Sequence, residues 1–150
     1  MTKEADLGRW AALGNEAFSR ADFAHPTDQV AFLLTHEIRK GLPVQAIATL
    51  VDQGGFTVAE LDQVIISRKT LAHRRQIGTL TPDQSDRVVR AISILALAQE
   101  TFGSAAKANE WLRRKTSTLA GQSPLEMLDT EIGALQVQTL LGRIAHGIAA

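Results

Sequence analysis

The chain has 150 residues, enough for one domain or two small ones sharing a core, and its 16 basic residues are balanced by 16 acidic ones. A formal charge of zero excludes a global field toward nucleic acid or membrane, so any such affinity must come from a local patch. The absence of cysteine excludes disulfides, thiolate zinc sites and a cysteine nucleophile, and it fits a reducing compartment.

The first residues, Met1-Thr2-Lys3-Glu4-Ala5-Asp6, lack the apolar stretch of a secretory signal. No apolar run approaches the ~18 residues of a membrane helix, and the longest, Ala91 to Ala98, is broken by Ser93. The expected location is cytoplasmic. Residues 1–24 read as a short helix or a tail, with isolated apolar positions at Leu7, Trp10, Leu13 and Phe18.

Strand signals are nearly absent beyond this point, and the chain reads as all-α. Pro26 opens a helix carrying Val30, Phe32, Leu33, Leu34 and Ile38, which Gly41 and Pro43 end. The next helix carries Val44, Ile47, Leu50 and Val51 on one face and stops at Gly54-Gly55. Two short helices follow, near 57–64 and 67–76. A long helix begins at Pro82, with Val88, Val89, Ile92, Leu95 and Phe102 as its stripe, and ends at Gly103. Ser104 caps a helix holding Ala108, Trp111 and Leu112; Trp111 is expected in the core. Arg113 to Gln122 reads as a polar linker. After a turn or two at Pro124 to Leu128, a final helix runs from about Thr130 to His146 with the stripe Val137, Leu140, Leu141, Ile144 and Ile148.

Three helix starts carry the same device, Ser or Thr followed three residues later by Glu or Gln: Thr57 with Glu60, Thr81 with Gln84, and Ser123 with Glu126. The hydroxyl accepts from an orphan backbone amide while the third residue reaches back to the cap. Pro82 and Pro124 take first helical positions, where a missing N–H costs nothing.

Charge is concentrated between Ser67 and Gly78, which hold four Arg or Lys residues, one His and no acid. A short helix with acids at Glu60 and Asp62, a short turn and then a basic amphipathic helix is the layout of a helix-turn-helix. Its second helix enters the major groove; phosphate contacts supply affinity and base contacts supply sequence. Periodicity turns Ile66 and Leu71 to the core and Ser67, Arg68, Lys69, Thr70, His73 and Arg74 outward. Arg68 or Lys69 suits guanine O6 and N7, Ser67 and Thr70 a base or a phosphate, and Arg74 and Arg75 the backbone. Many such turns use glycine at the place that Ile65 occupies here, so a slightly different turn is expected. A solvated basic helix that binds nothing is the competing reading.

Thr57 to Arg90, TVAELDQVIISRKTLAHRRQIGTLTPDQSDRVVR, resembles the Xre-like half of the MbcA/ParS/Xre antitoxins, most specifically in LTPDQSDRVVR. Phe102-Gly103, Ala108 to Leu112, and SPLEMLDTEIGALQVQTLLGRIAHGI, from Ser123 to Ile148, are similar to that family's C-terminal toxin-binding domain. The resemblance spans about residues 40–150. It does not explain residues 1–24, which stay a tail or short helix; the domains expected are a DNA-binding helix-turn-helix domain at 25–78 and a toxin-binding helical domain at 79–150. It also implies a cognate toxin, typically of the RES type, which resembles ADP-ribosyl-transfer enzymes and depletes NAD. The antitoxin would block that active site and, as a homodimer on operator DNA, repress the shared promoter.

The candidate toxin contacts are then Leu141, Arg143, Ile144, His146, Gly147 and Ile148. Arg143 and His146 share a helix face, and a cation there suits a pocket shaped for dinucleotide phosphates. The same two residues equally suit a complement to the helix dipole. Leu125, Met127 and Leu128 read as the domain's own core.

No catalytic site is expected. Asp129, Glu131 and His146 match no metal-ligand spacing, and Asp129-Thr130 more simply caps the last helix. There is no nucleophile–base pair and no phosphate loop, and no cofactor is implied. His25 and His36 read as isolated and exposed. Two other readings stay open: a free-standing dimeric helix-turn-helix regulator with a ligand-binding or dimerising C-terminal domain, and an adaptor whose helix-turn-helix no longer binds DNA.

Overall fold

A computed structural model describes residues 20–147 of the chain. The readings placed on residues 1–19 and on Ile148 lie outside the described residues. Eight α-helices are described: α1 (Arg20–Ala24), α2 (Asp28–Lys40), α3 (Ile47–Gly54), α4 (Val58–Val64), α5 (Arg68–Ile77), α6 (Pro82–Phe102), α7 (Ala105–Arg113) and α8 (Glu131–Ala145). Single 3-10 turns lie at Val44–Ala46, Ser117–Leu119 and Glu126–Asp129. The all-α expectation holds among the described residues, where extended pairing is limited to isolated bridges.

Helix α6 is the spine. Its apolar positions Val88, Ala91, Ile92, Leu95, Ala96 and Ala98 are almost wholly buried, and α1, α2, α3, α7 and α8 all pack on it. Small residues among the large ones let several helices approach one axis. The helix starts where the local code places it. Thr81 accepts from the Gln84 amide, Gln84 Oε1 accepts from the Thr81 amide at 2.9 Å, and Pro82 fills the first position.

The other two capping boxes behave differently. Thr57 accepts from the Glu60 amide, but the Glu60 carboxylate accepts from the Thr57 hydroxyl at 3.2 Å and pairs with Arg113 rather than closing the box on the Thr57 amide. Ser123 and Glu126 close theirs around a 3-10 turn: Glu126 Oε2 accepts from the Ser123 amide at 2.7 Å. That amide first, and the Ser123 hydroxyl second, hold the Glu126 carboxyl below its usual range.

The two ends of the 41–80 unit are tied together. Val44 N–H donates to Gly78 O at 3.0 Å and Leu80 N–H to Leu42 O at 2.8 Å. Buried Ser85 accepts from the Leu42 amide at 2.9 Å and donates to Thr81 O at 2.7 Å. Gly41, at φ 90°, is required here, because a Cβ would meet Leu80 O at 2.5 Å.

Arg113 to Gln122 is not a linker. Arg113 is the last residue of α7, Leu119 is buried, and the Thr116 amide donates to Gln122 O at 3.2 Å to close the segment into a loop. Trp111 is half-buried and packs on Phe102, with ring centroids 5.4 Å apart. His25 is exposed but not isolated: its Nε2 lies 2.8 Å from Glu100 Oε1. Leu125 and Leu128 are core and Met127 packs against it, as expected.

The start of α8 tolerates one residue type. Thr130 caps it, accepting from the Gly133 amide at 2.9 Å, and a Cβ on Gly133 would run into Met127 O. Gly133→Ala therefore overpacks a backbone contact. Against the helix-propensity gain of about 1 kcal/mol, we expect a net loss of about 1–2 kcal/mol in urea unfolding.

Candidate functional site

Two exposed surfaces stand out against this core. The first is α5. Ser67 caps it, accepting from the Thr70 amide at 3.2 Å and donating to Thr70 Oγ1 at 2.7 Å. The preceding turn needs no left-handed residue. Ile65 sits at φ −113°, ψ −63°, and both the Ile65 and Ile66 amides donate to Leu61 O, at 2.9 and 2.8 Å. Asp62 Oδ1 then accepts from the Arg68 amide at 3.0 Å. A bulky residue fits at Ile65 because its side chain is buried and its backbone stays in an allowed region.

Leu71 is the one buried side chain of α5. Residues one turn apart on the opposite side are Lys69, His73 and Gln76, all exposed. Arg68 is exposed at the helix start. Thr70 and Arg74 are half-buried on the flank, and Arg74 Nε has no hydrogen-bond partner. Arg75 is exposed beside Leu71, at a shallow groove shared with Val44, Val51 and Asp52. The outward face is thus narrower than periodicity suggested: Lys69 and His73 are central, Arg74 and Arg75 peripheral, and Gln76 was missed. Its polar, uncharged side chain carries no signal in a reading driven by charge.

The second surface is on α8. Val137 and Leu141 have no exposed area and Leu140 is nearly buried. Leu141 is therefore corrected: with 0% exposure it holds α8 to the core and has no surface to offer a partner. Ile144 is half-buried against the core, so only its edge is free. His146 is exposed and Gly147 lies at φ 70°. His146 Nδ1 is 2.7 Å from Gly142 O, so the ring caps its own helix and complements the dipole.

Arg143 is exposed one turn earlier. It lines a shallow groove with Leu119, Ile132, Leu135, Gln136 and Thr139. Ile132 is 74% exposed and Leu135 59% exposed, at helical spacing on the side of α8 away from the core. Both apolar side chains are rimmed by polar groups and one cation, Arg143. The signal was present in the sequence, since Ile132 and Leu135 fall off the Val137–Leu140–Leu141–Ile144 stripe.

Arg113 ties α7 to the ends of α3 and α4. From α7 it donates to Gly54 O at 2.9 Å, to Asn109 O at 3.1 Å and pairs with Glu60 at 3.0 Å, while its guanidinium lies 5.8 Å from the Phe56 ring centroid. Asn109 Nδ2 adds a bond to Gln53 O at 3.3 Å. Helix α4 also packs directly on the 126–129 turn that leads into α8.

Among the described residues no group of three or more His, Asp or Glu side chains is placed to hold a metal ion, and no helix is long and apolar enough to cross a membrane.

Comparison with known proteins bears on both surfaces. Residues 34–93 match the model of the antitoxin Xre-like helix-turn-helix domain. Residues 97–147 match that of the antitoxin Xre/MbcA/ParS C-terminal toxin-binding domain. The chain is 34% identical over 116 residues to an Antitoxin Xre of Pseudomonas putida, covering 77% of this chain and 73% of that one. It is 32% identical over 127 residues to an Antitoxin Xre of Yersinia enterocolitica, covering 72% and 86%. A third Antitoxin Xre, from Photorhabdus laumondii, is 33% identical over 114 residues, covering 74% and 77%.

Proposed function

The chain belongs to the Xre/MbcA/ParS antitoxin family, and from that premise we propose that it neutralises a cognate RES-type, NAD-depleting toxin and, as a homodimer, represses the promoter they share. The observation that carries the partner half is the exposed Ile132–Leu135 face, which falls inside the segment matched to a toxin-binding domain. We assign residues 25–78 to DNA and 79–150 to the toxin. The chemistry belongs to the partner. Arg143, beside the apolar face, supplies the cation for an active site that accommodates dinucleotide phosphates. His146, Gly147, Ile148 and the edge of Ile144 are proposed as the rim of the same contact.

The DNA half rests on a basic helix whose free face carries Lys69 and His73, with Arg68 at its start. Of the proposed contacts, Ser67 and Thr70 orient the helix start, Arg68 and Lys69 reach bases, His73 follows along the groove, and Arg74 and Arg75 meet phosphates.

The deciding experiment is co-expression with the neighbouring gene. The neighbour alone should arrest growth and consume NAD, and this chain should rescue growth and co-purify with it. A neighbour that is harmless, or toxic but unrescued, overturns the reading and leaves a free-standing regulator. A second measurement addresses the DNA half. Arg68→Ala with Lys69→Ala should weaken promoter binding by about tenfold or more and relax its preference over unrelated DNA, whereas Arg74→Ala with Arg75→Ala should lower the salt slope by about two phosphate equivalents, both with toxin rescue intact. An unchanged mobility shift would remove α5 from the interface.

A further inference from the structure

Helix α2 presents an apolar face that no other described element covers. Leu34 is buried, and Val30 and Ile38 pack beside it against the core. On the opposite side Phe32 is 74% exposed and Leu33 43% exposed. They continue into a surface stripe of Asp28, Gln29, His36, Arg39 and Lys40, all exposed.

The charges along this stripe are ordered. The exposed acid, Asp28, is in the first turn and the exposed bases, Arg39 and Lys40, are in the last; Glu37, in that last turn too, is half-buried off the stripe. Such a helix is complementary to itself in one arrangement only, antiparallel, where each acidic start meets the basic end of the other copy. A two-fold axis near residue 34 sets Asp28 against Lys40 of the second copy and Phe32 against its His36. A two-fold contact requires that self-complementarity of one patch. Antiparallel helix dipoles also align favourably.

The surrounding fold gives the arrangement a consequence. Each α2 ends at Gly41, and the next residues are hydrogen-bonded to Gly78 and Leu80, just past the end of α5. The two DNA-reading helices therefore hang from opposite ends of the seam. Those ends lie about 20 Å apart, the length of a 13-residue helix, before the width of the two reading units is added. One turn of DNA separates half-sites by about 34 Å.

We propose that two copies of this chain associate through antiparallel α2 helices, with Phe32 and Leu33 at the centre and Asp28 paired to Lys40 at each end. This rests on the dimeric, DNA-binding reading and names its surface. A seam of one helix pair is at the small end of specific interfaces, so association is concentration-dependent.

Sedimentation equilibrium of the full chain from about 1 to 200 µM tests it. The wild type should approach twice 16.2 kDa, and Phe32→Glu should remain a single chain with unchanged helicity, because that side chain is exposed. Asp28→Lys should raise the dimer dissociation constant by about tenfold, and adding Lys40→Glu with Arg39→Glu should restore it. A wild type that stays at 16.2 kDa throughout overturns the dimeric reading together with the seam. A Phe32→Glu variant that still dimerises overturns the seam alone. Loss of toxin rescue in a folded Phe32→Glu variant would give the face to the toxin and overturn the seam as well.

Discussion

Ile132→Glu with Leu135→Glu should abolish toxin neutralisation while leaving the fold and promoter binding intact. Both side chains are mostly exposed, so the substitutions remove nothing from the core, and the circular dichroism spectrum and unfolding midpoint should change little. In the complex the same positions would be desolvated against the partner. Burying an apolar side chain of this size is worth about 1.5–3 kcal/mol, and two carboxylates forced into a dry contact add a penalty of their own. The affinity for the co-purified toxin should fall by about 100-fold or more, near 3 kcal/mol, as read by calorimetry. Arg143→Ala provides the contrast. Its charge sits at the rim of the groove, so its loss should act less on affinity than on the residual activity of the bound toxin. Full rescue by the double Glu variant would move the toxin contact off this face of α8.

Arg113→Ala should destabilise the chain more than any other single surface-accessible change considered. It removes two hydrogen bonds to backbone carbonyls, a contact with Phe56 and an ion pair, and it leaves the Glu60 side chain only 20% exposed without its partner. Breaking a largely buried pair from one side costs several kcal/mol, and partial exposure of Arg113 reduces that figure. We expect about 3 kcal/mol, which for a chain of this length corresponds to about 6–12 °C in Tm. Arg113→Lys should recover only part of it, because a single ammonium cannot reach Gly54 O, Asn109 O and Glu60 together. Glu60→Gln should cost less than Arg113→Ala, and the double variant less than the sum, since both changes disrupt one contact set. A loss below 0.5 kcal/mol for Arg113→Ala would mean that the clamp contributes nothing beyond solvation.

This clamp bears on how the two matched segments share a chain. The segment matched to a helix-turn-helix domain and the one matched to a toxin-binding domain are not beads on a string. Helix α6 runs from one to the other, Arg113 reaches back across the joint, and α4 rests on the turn that launches α8. The segment from Arg113 to Gln122 had the composition of a linker, but its Leu119 and the Thr116–Gln122 bridge make it part of the packed body.

Local code determined a large part of this molecule on its own. The caps at Thr57, Thr81, Ser104 and Thr130, the stops at Gly55, Gly78 and Gly103, and the stripe along α6 all depend on residues close to one another in the chain. For that reason the helix boundaries, the helix-turn-helix and the basic patch on α5 were readable from order and spacing. Partners distant in the chain decided the rest. Whether Glu60 closes its own cap or pairs with Arg113 depends on a residue 53 positions away, and the His25–Glu100 contact spans 75. Leu141 and Leu135 are the same amino acid on the same helix, yet one is wholly buried and the other is 59% exposed. Periodicity sets Leu135 apart from the stripe of Val137, Leu140 and Leu141, but the packing of α8 on α6 and on the 126–129 turn decides that this stripe is wholly covered and that Leu135 is left exposed.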